Sequence, residues 1–250
     1  MKIQNLKKGQ KQVHLIDHPS LTPLSPHITS YLKKGLTAMT SGNTRFPASK
    51  IENYANYVWE KVAELDTALA SLRLALKFVT ELGCESNPSP EAYRYHYENF
   101  VLRVIGFVDR AHRLVGASLS LPQRKYESFN GNAFVKSETV KNHPGIHTAL
   151  EAVATAVQGY RGPRNELIHS TAYSSRELGL FIAVEHFGVD TGDVDVDELK
   201  REHSAEGSNE ISKTIGCLVE ALTALMEELG ILFEAAHQIA SAKAPQLSSR

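Results

Sequence analysis

The chain of 250 residues is long enough for one large domain or two small ones, and its 42% hydrophobic content is that of a globular protein with its own core. Its 27 Lys and Arg against 28 Asp and Glu give a formal net charge of -1, which excludes the broad positive field of a generic nucleic-acid binder and confines any RNA contact to a local patch. Cys84 and Cys217 stand far apart with no CxxC pair, arguing against a disulfide framework or a zinc knuckle, and no run of about 18 apolar residues follows Met1–Asn5 or occurs elsewhere, so the expectation is a cytoplasmic protein with no membrane partner.

Residues 1–48 carry Pro19, Pro23, Pro26 and Pro47 among Ser, Thr and Lys, which predicts an irregular N-terminal arm anchored by Tyr31, Leu32 and Leu36. A bundle domain over 49–242 opens with Ser49-Lys50-Ile51-Glu52, a capping box in which the Ser hydroxyl and the Glu carboxylate each satisfy a free backbone N–H. Ala55, Val58, Val62, Leu65, Leu69, Leu72, Leu76 and Val79 then recur at steps of three and four, lining one face of a long helix that Gly83 should stop.

A second helix is predicted after Ser89 as N-cap and Pro90 at the first helical position, with a stripe from Tyr93 and Tyr97 through Phe100, Val104 and Val108 to Val115. Leu119 to about Lys141 reads as a loop with room for a short helix, because Pro122 and Asn130-Gly131-Asn132 punctuate it. Pro144 restarts a helix through Ile146, Leu150, Val153 and Val157, and Gly162-Pro163 should break or kink the chain. Leu178, Leu180, Ile182 and Val184 alternate, predicting a short β excursion near 177–187, and the acidic stretch 188–197 reads as an exposed turn. A final long helix runs through Ile211, Leu218, Leu225, Leu232 and Ile239 before a disordered tail at 243–250. These apolar stripes require mutual cover, so the predicted fold is all-α: an antiparallel bundle of long amphipathic helices without internal repeats.

One segment can carry chemistry. In Arg164-Asn165-Glu166-Leu167-Ile168-His169, Asn165 and His169 fall one turn apart on a helix, so the amide can orient the imidazole. Arg164 lies about 140° away around the axis, with a side chain long enough to reach a ligand in front of that face. Arg164, Asn165 and His169 resemble the R-x4-6-H signature of HEPN domains, and the helix holding Tyr97-Glu98-Asn99-Phe100 and Asp109-Arg110 is similar to helices of HEPN proteins from toxin–antitoxin and abortive-infection systems.

The resemblance implies a homodimer whose two Arg–His pairs face each other across a cleft and form one ribonuclease site. It implies RNA as substrate, an antitoxin protein as a further partner, and neither metal nor cofactor. His169 would serve as base or acid, since an unperturbed imidazole titrates near 6.5. Arg164 would hold the scissile phosphate, Asn165 would orient, and Glu98 and Asp109 would line the cleft behind them. Some HEPN toxins carry Tyr two residues past the His, where this chain has Thr171 and its nearest Tyr is Tyr173, a departure from that subgroup.

The alternatives are a HEPN bundle that binds nucleotide, RNA or a protein without catalysis, and a plain helix start with surface polar groups or a core His satisfied by Asn165. His143 and His147 have a metal-ligand spacing, but no HExxH carboxylate accompanies them and Pro144 explains the site as a helix start. Tyr93 and Tyr97 continue an apolar stripe, leaving Tyr95 to face solvent, and Lys7-Lys8 and Lys33-Lys34 read as solvated charge. No Gly-rich phosphate loop, GxSxG elbow or local Cys–His pairing occurs, which removes support from the common kinase, hydrolase and dinucleotide classes.

Overall fold

The computed structural model describes residues 14–169, Tyr173 and 175–243, and within them the fold is all-α, a bundle of ten α-helices with no strand. Short 3-10 turns at Leu15–Asp17 and Pro19–Leu24 lead into α1 (Ser25–Thr40), followed by α2 (Lys50–Leu82), α3 (Pro90–Val104), α4 (Gly106–Ser118), α5 (Gln123–Tyr126) and α6 (Gly131–Asn142). The second half holds α7 (Pro144–Ala156), a 3-10 turn at Gln158–Tyr160, α8 (Arg161–His169), α9 (Arg176–Phe187) and α10 (Val196–Lys243).

Helix α2 is the central element because its stripe faces neighbours on several sides: Val58, Val62, Leu65, Leu69, Leu72 and Val79 are all fully buried. The capping box forms as the sequence predicts, with the Ser49 N–H donating to Glu52 Oε2 at 2.6 Å and the Glu52 N–H donating to Ser49 Oγ at 3.3 Å. Tyr54 near the start of α2 donates to the carbonyl of Ser118 at the end of α4, and Thr80 near its end lies 2.6 Å from Ser208 in the first part of α10, so α2 runs antiparallel to α4 and has its C-terminal end beside the start of α10. Phe100, Phe107, Leu114, Leu150, Ile211, Leu218 and Phe233 close the core over the α2 stripe, each such side chain contributing about 1.5–3 kcal/mol on burial.

Four sequence expectations are corrected. The arm predicted as irregular over 1–48 is largely helical from Leu15 to Thr40 and irregular only over 41–48, and it packs on the bundle through Leu15, Leu21, Leu24 and Ile28. Two of its prolines start helices rather than break them, since Pro19 and Pro26 occupy first-turn positions where no helical N–H bond is lost, while Pro23 lies inside the 3-10 turn. The predicted loop of 119–141 contains the twelve-residue α6, which buries Val135 and Thr139, and Gly131 is its first residue. The single helix predicted over 90–115 is interrupted at Ile105, ahead of the poor helix former Gly106. The β excursion near 177–187 is the helix α9: Ser175 Oγ caps it by accepting from the Leu178 N–H at 3.1 Å, and Leu178 and Phe181, three apart, are its buried residues.

Alternation misled there because Leu180 stays exposed and Ile182 and Val184 only half-buried, so the period-two pattern has no packing counterpart. Gly188 ends α9 in the left-handed region at φ 56°, a conformation that glycine adopts without cost from a Cβ. The predicted acidic turn does separate α9 from α10, which starts at Val196. The predicted tail falls, apart from Lys243, outside the described residues. Among the described residues, no helix is long and apolar enough to cross a membrane.

Candidate functional site around the α8 helix

The polypeptide reaches the Arg–His segment through a sharp change of path. Helix α7 ends at Ala156, the turn at Gln158–Tyr160 buries Tyr160, and α8 starts at Arg161, two residues ahead of Pro163. Gly162 and Pro163 thus sit within the first turn of α8, where a missing N–H removes no intrahelical bond, rather than at a break between helices. None of the nine residues of α8 is buried; Leu167 packs partly against the core, Arg164 is half-exposed, and Asn165 and His169 are exposed.

Arg164 and His169 therefore project from one short helix into accessible space. The orienting contact expected from Asn165 to His169 does not form: Arg164 Nη1 donates to Asn165 Oδ1 at 3.4 Å. The amide dipole is thus turned toward the guanidinium of its sequence neighbour, and among the described residues His169 has no hydrogen-bond partner.

Beside the start of α8 lies a cleft of about 770 Å³ between the end of α7 and the middle of α10, with Pro163 on its wall. Its polar lining comes from residues that the sequence reading left in the core or unmentioned. Tyr97 donates to both carboxylate oxygens of Glu210 at 3.2 Å, and Tyr160 donates to Glu210 Oε1 at 2.8 Å while its hydroxyl lies 3.0 Å from Thr214 Oγ1. Burial pushes the phenols of Tyr97 and Tyr160 up, and the nearby Glu210 charge adds to the effect, so both remain donors. Lys213 places an exposed ammonium on the same cleft, with no ion pair among the described residues.

The segment just past the motif is tied to α3. Glu98 Oε1 accepts the backbone N–H of Tyr173 at 2.7 Å, and the rings of Tyr97 and Tyr173 lie 4.6 Å apart. Glu98 thus holds the chain four residues beyond His169. Thr171, at the position where some HEPN toxins have Tyr, lies outside the described residues. Asp109 belongs elsewhere: it lines a groove between α2 and the α3–α4 pair, where Asn132 of α6 donates to it at 2.6 Å. Of the five residues singled out from the sequence, Arg164, Asn165 and His169 share α8, Glu98 supports the segment that follows, and Asp109 faces a different groove.

The Tyr97–Tyr160–Glu210 network had no local signal. Tyr97 and Glu210 are 113 residues apart, and Tyr97 fits its apolar stripe because the side chain is buried while its hydroxyl bonds to Glu210. Lys213 sits on the outward face of α10, where a cation is unremarkable in sequence. His143 and Pro144 form a helix start, as their sequence indicates, and Tyr95 is exposed while Tyr93 and Tyr97 are buried. Among the described residues, no group of three or more His, Cys, Asp or Glu side chains is arranged to hold a metal ion. Comparison with protein-family models finds no match, and neither do comparisons with curated proteins and with solved structures.

Proposed function

We propose that the chain is a metal-independent endoribonuclease of the HEPN type, with Arg164 and His169 as the catalytic pair. The observation that carries this reading is the exposure of α8: a helix with no buried residue presents a guanidinium and an imidazole, and its first turn, at Pro163, borders a cleft of about 770 Å³ that also holds Glu210 and Lys213. A ribose 2′-oxygen would attack the adjacent phosphorus as a base takes its proton. The P–O5′ bond would then break as the 5′-oxygen receives a proton from an acid, leaving a 2′,3′-cyclic phosphate and a 5′-hydroxyl.

Arg164 suits the phosphate, because its planar fork offers two parallel donors to the charge that builds on the equatorial oxygens. The reaction uses both a base and an acid, whereas one α8 supplies one histidine. A homodimer that brings two copies of α8 together would provide both, and Lys213 lies where it could take a flanking phosphate. Such an enzyme fits a toxin or defence effector restrained by an antitoxin protein.

The test incubates purified protein with a structured RNA in EDTA, beside His169→Ala and Arg164→Ala, and analyses the product ends. The expected result is cleavage to cyclic phosphate ends by the wild type and a loss of about 100-fold or more in either variant. Cleavage that persists in either variant overturns the site. The Arg164–Asn165 contact, which leaves His169 without its expected orienter, favours a second reading, a bundle that binds RNA without cutting it. Retained RNA binding with no cleavage of any substrate selects that reading.

A further inference from the structure

On the side of the bundle where Asp109 lies, α2 and the α3–α4 pair enclose a groove of about 890 Å³. Arg103, from the end of α3, and Arg110 and Arg113, three apart on α4, line one wall. Arg110 folds back over Gly106, where a Cβ would collide with its guanidinium. The opposite wall carries Trp59, the chain's single tryptophan, half-buried above small residues that include Ala63 and Ser71.

Carboxylates also line the groove, yet each has a different partner. Glu60 accepts from Asn56 at 2.8 Å, Glu64 pairs with Lys61 at 3.0 Å and Asp109 accepts from Asn132 at 2.6 Å. Among the described residues none of the three arginines pairs with a carboxylate, and the hydrogen bond from Arg103 Nε to Asn99 occupies only one of its donors. Three guanidinium forks on one groove wall, none of them ion-paired to the carboxylates that share the groove, match the geometry of phosphate oxygens.

We propose that this groove binds a small anion carrying two or more linked phosphates, such as a nucleoside triphosphate. Its volume lies in the range of small-ligand sites, about 300–1,000 Å³. The bounding carboxylates and a net charge of -1 disfavour a long phosphodiester strand, which needs an extended basic track. Trp59 offers a face for a base, so the same phosphate chemistry accommodates inorganic tripolyphosphate or a nucleotide.

The site is independent of α8, and its test reports separately. The full chain is titrated with ATP and with inorganic tripolyphosphate, read by Trp59 fluorescence and by calorimetry in parallel. Binding should saturate below about 1 mM and weaken at least tenfold in Arg110→Gln/Arg113→Gln at an unchanged melting temperature. Tighter binding of ATP than of tripolyphosphate, lost in Trp59→Leu, assigns the nucleotide; equal binding assigns the phosphates alone. If the glutamine variant fails to fold, Arg110→Lys/Arg113→Lys replaces it and should bind severalfold more weakly, because an ammonium lacks the fork. Arg164→Ala/His169→Ala should bind as the wild type does. No binding of either probe, undiminished binding by the arginine variants, or binding confined to long single-stranded oligonucleotides overturns the assignment.

Discussion

Helices α2 and α8 represent opposite uses of the same secondary structure. Helix α2 has 33 residues, a hydrogen-bonded capping box and a fully buried stripe, whereas α8 has nine residues and buries none of them. An isolated helix of nine residues is marginal in water, so α8 depends on the turn at Tyr160, partial packing of Leu167 and the Glu98 contact to the chain beyond it. The segment proposed to carry chemistry is thus one that the core does not need, while the segment the core needs most presents no reactive group along its stripe.

That contrast breaks most directly at the buried leucines. Leu69→Ala, at a fully buried position of α2, should cost about 2–5 kcal/mol in urea unfolding, against about 1 kcal/mol for Leu167→Ala in α8; equal losses would show that α8 is as integral to the core as α2. Next in size is a pH effect at the start of α2. Burial alone would push the Glu52 carboxyl up, but hydrogen bonds from Lys34, Ser30 and Ser49 outweigh it and hold the group at about 2.

A carboxyl whose pKa is lower in the folded than in the unfolded chain stabilises the fold above its ordinary value and loses that contribution as pH falls toward the folded value. Stability should therefore drop by about 2 kcal/mol as pH falls from about 4.5 to about 2, and Glu52→Gln should flatten that part of the profile. An unchanged profile in the variant would remove Glu52 as the cause.

Smaller effects sharpen the comparison at the cleft. Tyr160→Phe removes one donor to Glu210 and should cost about 1 kcal/mol in the same unfolding assay. His169→Ala should stay within about 0.5 kcal/mol of the wild type, because the imidazole is exposed and makes no contact that the core uses. A larger loss would give His169 a structural role and weaken its assignment to chemistry.

Much of the architecture was legible in the sequence where local chemistry and burial agree. Ser49 and Glu52 announce the start of α2, Ser89 and Pro90 that of α3, and the leucine and valine spacing names the face each buries. The reading failed where local pattern and packing part ways. Alternating Leu178, Leu180, Ile182 and Val184 look like a strand, yet a Ser cap and the neighbouring helices stabilise α9. Pro19 and Pro26 look like breakers, yet first-turn positions accept them.

The candidate site divides along the same line. By itself the sequence determined that Arg164, Asn165 and His169 would share a short helical segment, since i, i+1 and i+5 positions follow from helix geometry alone. Only the tertiary structure decided that Asn165 meets Arg164 rather than His169, that Glu98 holds Tyr173, that Asp109 turns to the arginine groove, and that Tyr97 and Tyr160 converge on Glu210. Apart from the Arg164–Asn165 contact, a choice of rotamer, those contacts join residues from 23 to 113 positions apart, and such pairings are set by how whole helices pack, which no local spacing encodes.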